Sequence, residues 1–135
     1  MRSIREQFCQ ERARVHREHV EHNERFVNQV EEKIPDSHDW SITAVFYAAL
    51  QYIDAYLAQK GNVLSHKATE QNHRKRIQFI DKDHVLSRIK YDYLLLKSKS
   101  ETARYKPPTK FIADDVQKLI DNQLQAIKDV ILPHL

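Results

Sequence analysis

Glycine occurs once in 135 residues, cysteine once and proline four times. Tight β-hairpins draw on glycine for positive φ angles, so this scarcity argues against a turn-rich sandwich or barrel. No glycine-rich phosphate loop can be written with one glycine. A single cysteine, Cys9, excludes an internal disulfide framework and any cysteine-based zinc site. No apolar run approaches the ~20 residues that span a bilayer. The first residues, Met1 to Gln7, lead into charged helix and not into an apolar leader, so the expectation is a cytoplasmic protein with no membrane partner. With 41% hydrophobic and 30% charged residues, the chain has the balance of a globular protein and not of a disordered one. Its length suits one domain over 1–135.

Apolar periodicity is helical throughout. Residues 3 to 33 carry a sparse stripe, Ile4, Phe8, Val15, Val20, Phe26, Val27 and Val30, on an otherwise polar segment that Pro35 ends. Asp36, Ser37 or Asp39 can cap the next helix, residues 39 to 60. That helix is apolar on nearly all sides: Ile42, Val45, Phe46, Ala49, Leu50, Ile53 and Leu57 on one, with Trp40, Ala44, Tyr47, Ala48 and Ala55 covering much of the rest. Such a helix sits at the centre of a bundle or at a subunit interface, and Gly61 suits its left-handed cap. A basic helix over 66 to 80 follows. Asp81 to Asp83 can cap another over 84 to 100, with Val85, Leu86, Ile89, Tyr93, Leu94 and Leu96 inward. Pro107-Pro108 breaks the chain. A last helix from about Ile112 to Leu132 places Ile112, Val116, Leu119, Ile120, Leu124, Ile127 and Ile131 on one stripe.

Charge is unevenly placed. Residues 60 to 110 hold thirteen Lys/Arg against five Asp/Glu, whereas the remainder holds nine against fourteen. The basic block would draw anions or nucleic acid through their phosphates; its plainer reading is a solvated face. Within it, His73 and Arg76 lie at i and i+3, and Arg104-Tyr105 stands where a helix meets the Pro-Pro loop. Paired guanidiniums beside a phenol suit a phosphate with a stacked base, with Arg74, Lys75, Tyr105 and Lys106 as ligand-binding residues. His73 would be the proton-transfer group. The competing reading is a structural knot, with Arg76 or Arg104 bound to a carboxylate such as Asp54 or to helix-end carbonyls. His16, His19 and His22 recur every three residues and drift around the first helix, which favours an exposed polar face over a metal site.

Asp39-Trp40, Phe46-Tyr47-Ala48-Ala49, Asp54-Ala55-Tyr56-Leu57-Ala58 and Lys60-Gly61 resemble the second helix of the prokaryotic HEPN domain family. His73-x-x-Arg76-x-x-x-Ile80 resembles its third segment, and Tyr93-x-x-Leu96-x-x-x-Ser100-x-x-Ala103-Arg104-Tyr105 its fourth; the likeness spans about residues 15 to 132. The resemblance implies an all-α fold, a four-helix up-and-down bundle with a short extra helix, usually a homodimer, associated with RNA or nucleotides and needing no cofactor. Many members are metal-independent ribonucleases of toxin or defence systems that use an Arg-x(4–6)-His motif in the later helices. Others are partners of a nucleotidyltransferase or nucleotide-binding modules. Here Arg104 has no histidine before His134, and the two matches with four intervening residues, Arg14 to His19 and Arg17 to His22, lie in the first helix. The expectation is therefore a binder of RNA or nucleotide phosphates through the basic block. An endoribonuclease using His73, Arg76 and Arg104, or a homodimeric interaction module, are the alternatives.

Overall fold

The computed structural model describes residues 3–33, 37–64, 70–105 and 110–135. They are almost wholly helical: α1 (Ile4–Lys33), α2 (His38–Gln59), α3 (Glu70–Lys82), α4 (Lys90–Tyr105), α5 (Ala113–Leu119) and α6 (Gln125–Ile131), with 3-10 turns at Leu86–Ile89 and Leu132–His134. No strand occurs among the described residues, and no helix there is long and apolar enough to cross a membrane. The proline-based breaks at Pro35 and Pro107-Pro108 fall outside the described residues.

The apolar circumference of α2 is used inside the chain. It packs along α1 on one side and against α4, α5 and α6 on others. From Ser41 to Ala58 only Tyr47 and Gln51 are other than buried. The core of Ile42, Val45, Phe46, Ile53 and Leu57 is completed by Ile80, Leu86, Tyr93, Leu96, Ile127 and Ile131. The C-terminal end of α2 closes as its sequence implies. Gly61 adopts φ +89°, its amide donates to the Ala58 carbonyl at 3.0 Å, and the Asn62 amide donates to that of Leu57 at 2.8 Å.

Three stripes are placed differently from expectation. On α1 the buried residues are Cys9, Ala13, His16, Val20, Val27 and Val30, a seam of small and polar side chains at three- and four-residue steps. The larger Ile4 (86% exposed), Phe8 and Phe26 fall off that seam and face solvent. His16 is accordingly buried and bonds Gln51 of α2, so the three histidines do not share an exposed face. Trp40 (60% exposed), Leu94 and Ile112 also face outward.

The final helix is not uniform. Its buried residues, Val116, Leu119, Leu124, Ile127 and Ile131, include one five-residue step. A π-helical turn at Ile120–Leu124 absorbs that extra residue and returns Leu124 to the core face. The segment after α3 starts with a 3-10 turn. Asp83 caps it, its Oδ1 accepting from the Val85 and Leu86 amides at 2.8 and 3.0 Å, and both its oxygens accept from the Tyr56 hydroxyl. Burial first, then Asp83, pushes the Tyr56 phenol up to about 12.

The two isoleucines at opposite ends of this exposure scale give a direct check. Ile53→Ala leaves a cavity in the core and should cost about 2–5 kcal/mol in urea unfolding. Ile4→Ala should change stability by no more than about 0.5 kcal/mol.

Candidate functional site

The inner face of α3 carries Asn72, Arg76 and Ile80, a four-residue spacing that buries one long cation. Arg76, 3% exposed, reaches Asp54 of α2 through two hydrogen bonds, Nε to Oδ1 at 2.7 Å and Nη2 to Oδ2 at 2.9 Å. This bidentate arrangement fits fork to carboxylate and is the strong form of the pair. Burial disfavours the guanidinium charge, yet the hydrogen-bonded Asp54 carboxylate outweighs it and raises the Arg76 pKa. The Tyr93 phenol, raised by its burial, lies against the same guanidinium, which opposes that shift.

His73 stands one turn before Arg76, its Nδ1 3.2 Å from Nη1. Its ring packs beside Phe46, centroids 6.4 Å apart. Burial lowers the His73 pKa, and the positive charges of Arg76, Lys97 and Arg104 lower it further. The neutral imidazole is thus the form that the fold favours.

Arg104 occupies the last turn of α4. Its Nε donates to the Ser100 carbonyl at 3.3 Å and its Nη1 to the Tyr47 hydroxyl at 3.1 Å. The guanidinium carbon lies 5.8 Å from the Tyr47 ring centroid and 5.0 Å from that of Tyr105. Tyr47 in turn packs against Phe46, which packs beside the His73 ring, so aromatic side chains of α2 run between Arg104 and His73. The two arginines of the proposed cluster are held differently. Arg76 is bound in a buried knot, whereas Arg104, beside the exposed Tyr105 (71%), lines a cleft of about 260 Å³ with Asp39, Trp40, Thr43 and Ala103.

Arg74 and Lys75 point away from the knot. Arg74 pairs with Glu70 on the surface at 3.6 Å. Lys75 lines a second cleft, about 440 Å³, with Arg5, Asn62, Gln78, Phe79 and Lys82 among its walls. Lys75, Gln78 and Lys82 are spaced i, i+3 and i+7, one helix face, and that spacing was readable in the sequence. Arg5 comes from the far end of the chain and bonds the Gly61 carbonyl at 3.0 Å, a contact that no local pattern announces. Lys106 lies outside the described residues. Among the described residues no group of three or more His, Cys, Asp or Glu is placed to hold a metal ion.

Comparison with protein-family models, curated proteins and solved structures gives no match for this chain.

The His73 environment predicts a pH effect. With its folded pKa below the unfolded value near 6.5, the unfolded chain binds the proton more tightly, so this residue's contribution to stability is present above about pH 6.5 and is lost as pH falls towards the folded pKa. An NMR titration should place the His73 imidazole below 6.5, and His73→Gln should lose less stability than the parent between pH 7 and pH 5.

Proposed function

We propose that the protein binds single-stranded RNA or nucleotide phosphates through the outer faces of its basic segment. The observation that carries this reading is the cleft between the start of α1, the loop after α2 and α3. Three cations, Arg5, Lys75 and Lys82, line it with Asn62, Gln78 and Phe79, and no carboxylate is among its lining residues. Lys75 and Lys82 form no ion pair among the described residues. Unpaired cations around an aromatic side chain and amide donors suit a phosphate backbone with bases that stack.

Binding is favoured over cleavage by the state of the proposed catalytic set. Arg76 is committed to Asp54 and buried, so it cannot meet an external phosphate. Among the described residues His73 is bonded to Arg76, and no hydrogen bond joins it to Arg104. The finer architecture that the HEPN resemblance implies is part of the same proposal: an up-and-down four-helix bundle with a short extra helix, paired as a cytoplasmic homodimer. Supporting it are the order of the helices and the exposed Tyr91 and Leu94 on one face of α4. The apolar circumference of α2 lends the dimer no weight, since the chain itself covers it.

The test uses the outer lysines and leaves the knot intact. Lys75→Ala with Lys82→Ala should weaken binding of a uridine oligonucleotide and flatten its logarithmic salt dependence by about 0.7 per lost phosphate contact. Unchanged affinity and slope, measured by fluorescence anisotropy across a salt series, would contradict the proposal. Adding Arg76→Ala to such a variant would confuse the result by unfolding the knot.

A further inference from the structure

The second cleft differs in chemistry from the lysine cleft. Asp39 and Arg104 line it together, yet they form no ion pair among the described residues. Among the described residues Asp39 bonds through its backbone carbonyl, which accepts from Thr43 Oγ1 at 3.0 Å. Arg104 uses Nε and Nη1 internally, and no bond of its Nη2 occurs among the described residues. Its plane is steadied by Tyr47 and Tyr105, so the remaining donors are held in a fixed direction. Trp40, 60% exposed, supplies a broad aromatic surface in the same cleft.

A carboxylate acceptor and a guanidinium donor beside an open indole form a specific pattern. Guanine is the base that matches it. Its O6 and N7 accept, the commonest targets of arginine, whereas its N1–H and exocyclic amine donate and suit a carboxylate. Adenine offers an acceptor where guanine has N1–H, and the pyrimidines lack the N7 acceptor. We infer that the Asp39–Trp40–Arg104 cleft is a guanine-recognition site, in which the base stacks on Trp40, Asp39 accepts from N1–H and the amine, and Arg104 donates to O6 or N7. As base readout within a strand, this inference rests on the RNA-binding reading above; the same chemistry would serve a free guanine nucleotide.

Trp40 is the sole tryptophan, so its fluorescence reports on this cleft alone. The experiment titrates the full chain with guanosine, adenosine and uridine monophosphates, and with a uridine oligonucleotide with and without interspersed guanines. The guanine-containing strand should quench Trp40 and bind about tenfold or more tighter than the uridine strand, in line with one stacked and doubly bonded base. Asp39→Asn, and separately Arg104→Lys, should shrink that ratio towards one while circular dichroism stays that of the parent. Equal binding of the two strands, with binding still dependent on Lys75 and Lys82, overturns the guanine site and leaves the RNA reading standing. Selective quenching by guanosine monophosphate without strand binding supports the site as one for a free nucleotide and defeats the RNA reading. Absence of quenching by any guanine probe, with no strand bound, overturns both.

Discussion

The buried pair of Asp54 and Arg76 constrains everything on the basic side of this molecule. The backbone of α3 approaches α4 and the 3-10 turn more closely than it approaches α2, so its tie to the central helix runs through side chains. The two charged side chains are 6% and 4% exposed. Removing two charges from water costs several kcal/mol per ion, and only good geometry with satisfied partners recovers it. Here two hydrogen bonds to the carboxylate and an adjacent imidazole provide that geometry. The pair is better understood as setting orientation than as adding net stability. Only one rotation of α3 lets Arg76 reach Asp54, and that rotation turns Lys75 and Lys82 outward.

The surface charge follows from this division. Arg74, Lys90 and Lys97 are paired with Glu70, Asp81 and Glu101, which damps the field of the basic block along much of α3 and α4. These pairs are short-range and contribute little to stability where exposed. Lys75 and Lys82 escape such pairing because the carboxylates within reach on α3 lie on other faces. Among the described residues Arg104 is bonded by a carbonyl and a phenol and not by a carboxylate, and it lines a cleft with Asp39 and Trp40. The fold thus buries one arginine, Arg76, as structure and leaves another, Arg104, at the wall of a cleft.

Much of the fold was legible in the residues because three- and four-residue apolar spacing is a strong local signal. The centre of the molecule, α2, and its Gly61 cap followed from composition and φ preference. The α1 seam was legible only in its second half, where Val20, Val27 and Val30 are buried; in the first half the buried Cys9, Ala13 and His16 are small or polar while Ile4 and Phe8 advertise the wrong face. The π turn was legible only as one five-residue step between Leu119 and Leu124. The cluster of His73, Arg76 and Arg104 was half legible. Spacing gave the His73–Arg76 contact, and Asp54 was a credible partner for one arginine. Which arginine was taken depended on tertiary distance, as did the arrival of Arg5 beside Lys75 and Lys82 and of Trp40 beside Arg104.

The most direct test of this account is a double-mutant cycle on the knot, with Asp54→Ala, Arg76→Ala and the double change compared by urea unfolding. Each single change should cost about 3–5 kcal/mol, because it strands a buried charge, and the double change should cost far less than their sum, with a coupling energy of about 3 kcal/mol. Additivity to within about 0.5 kcal/mol would mean that the two residues do not act as one unit, and the account of how α3 is oriented would be wrong.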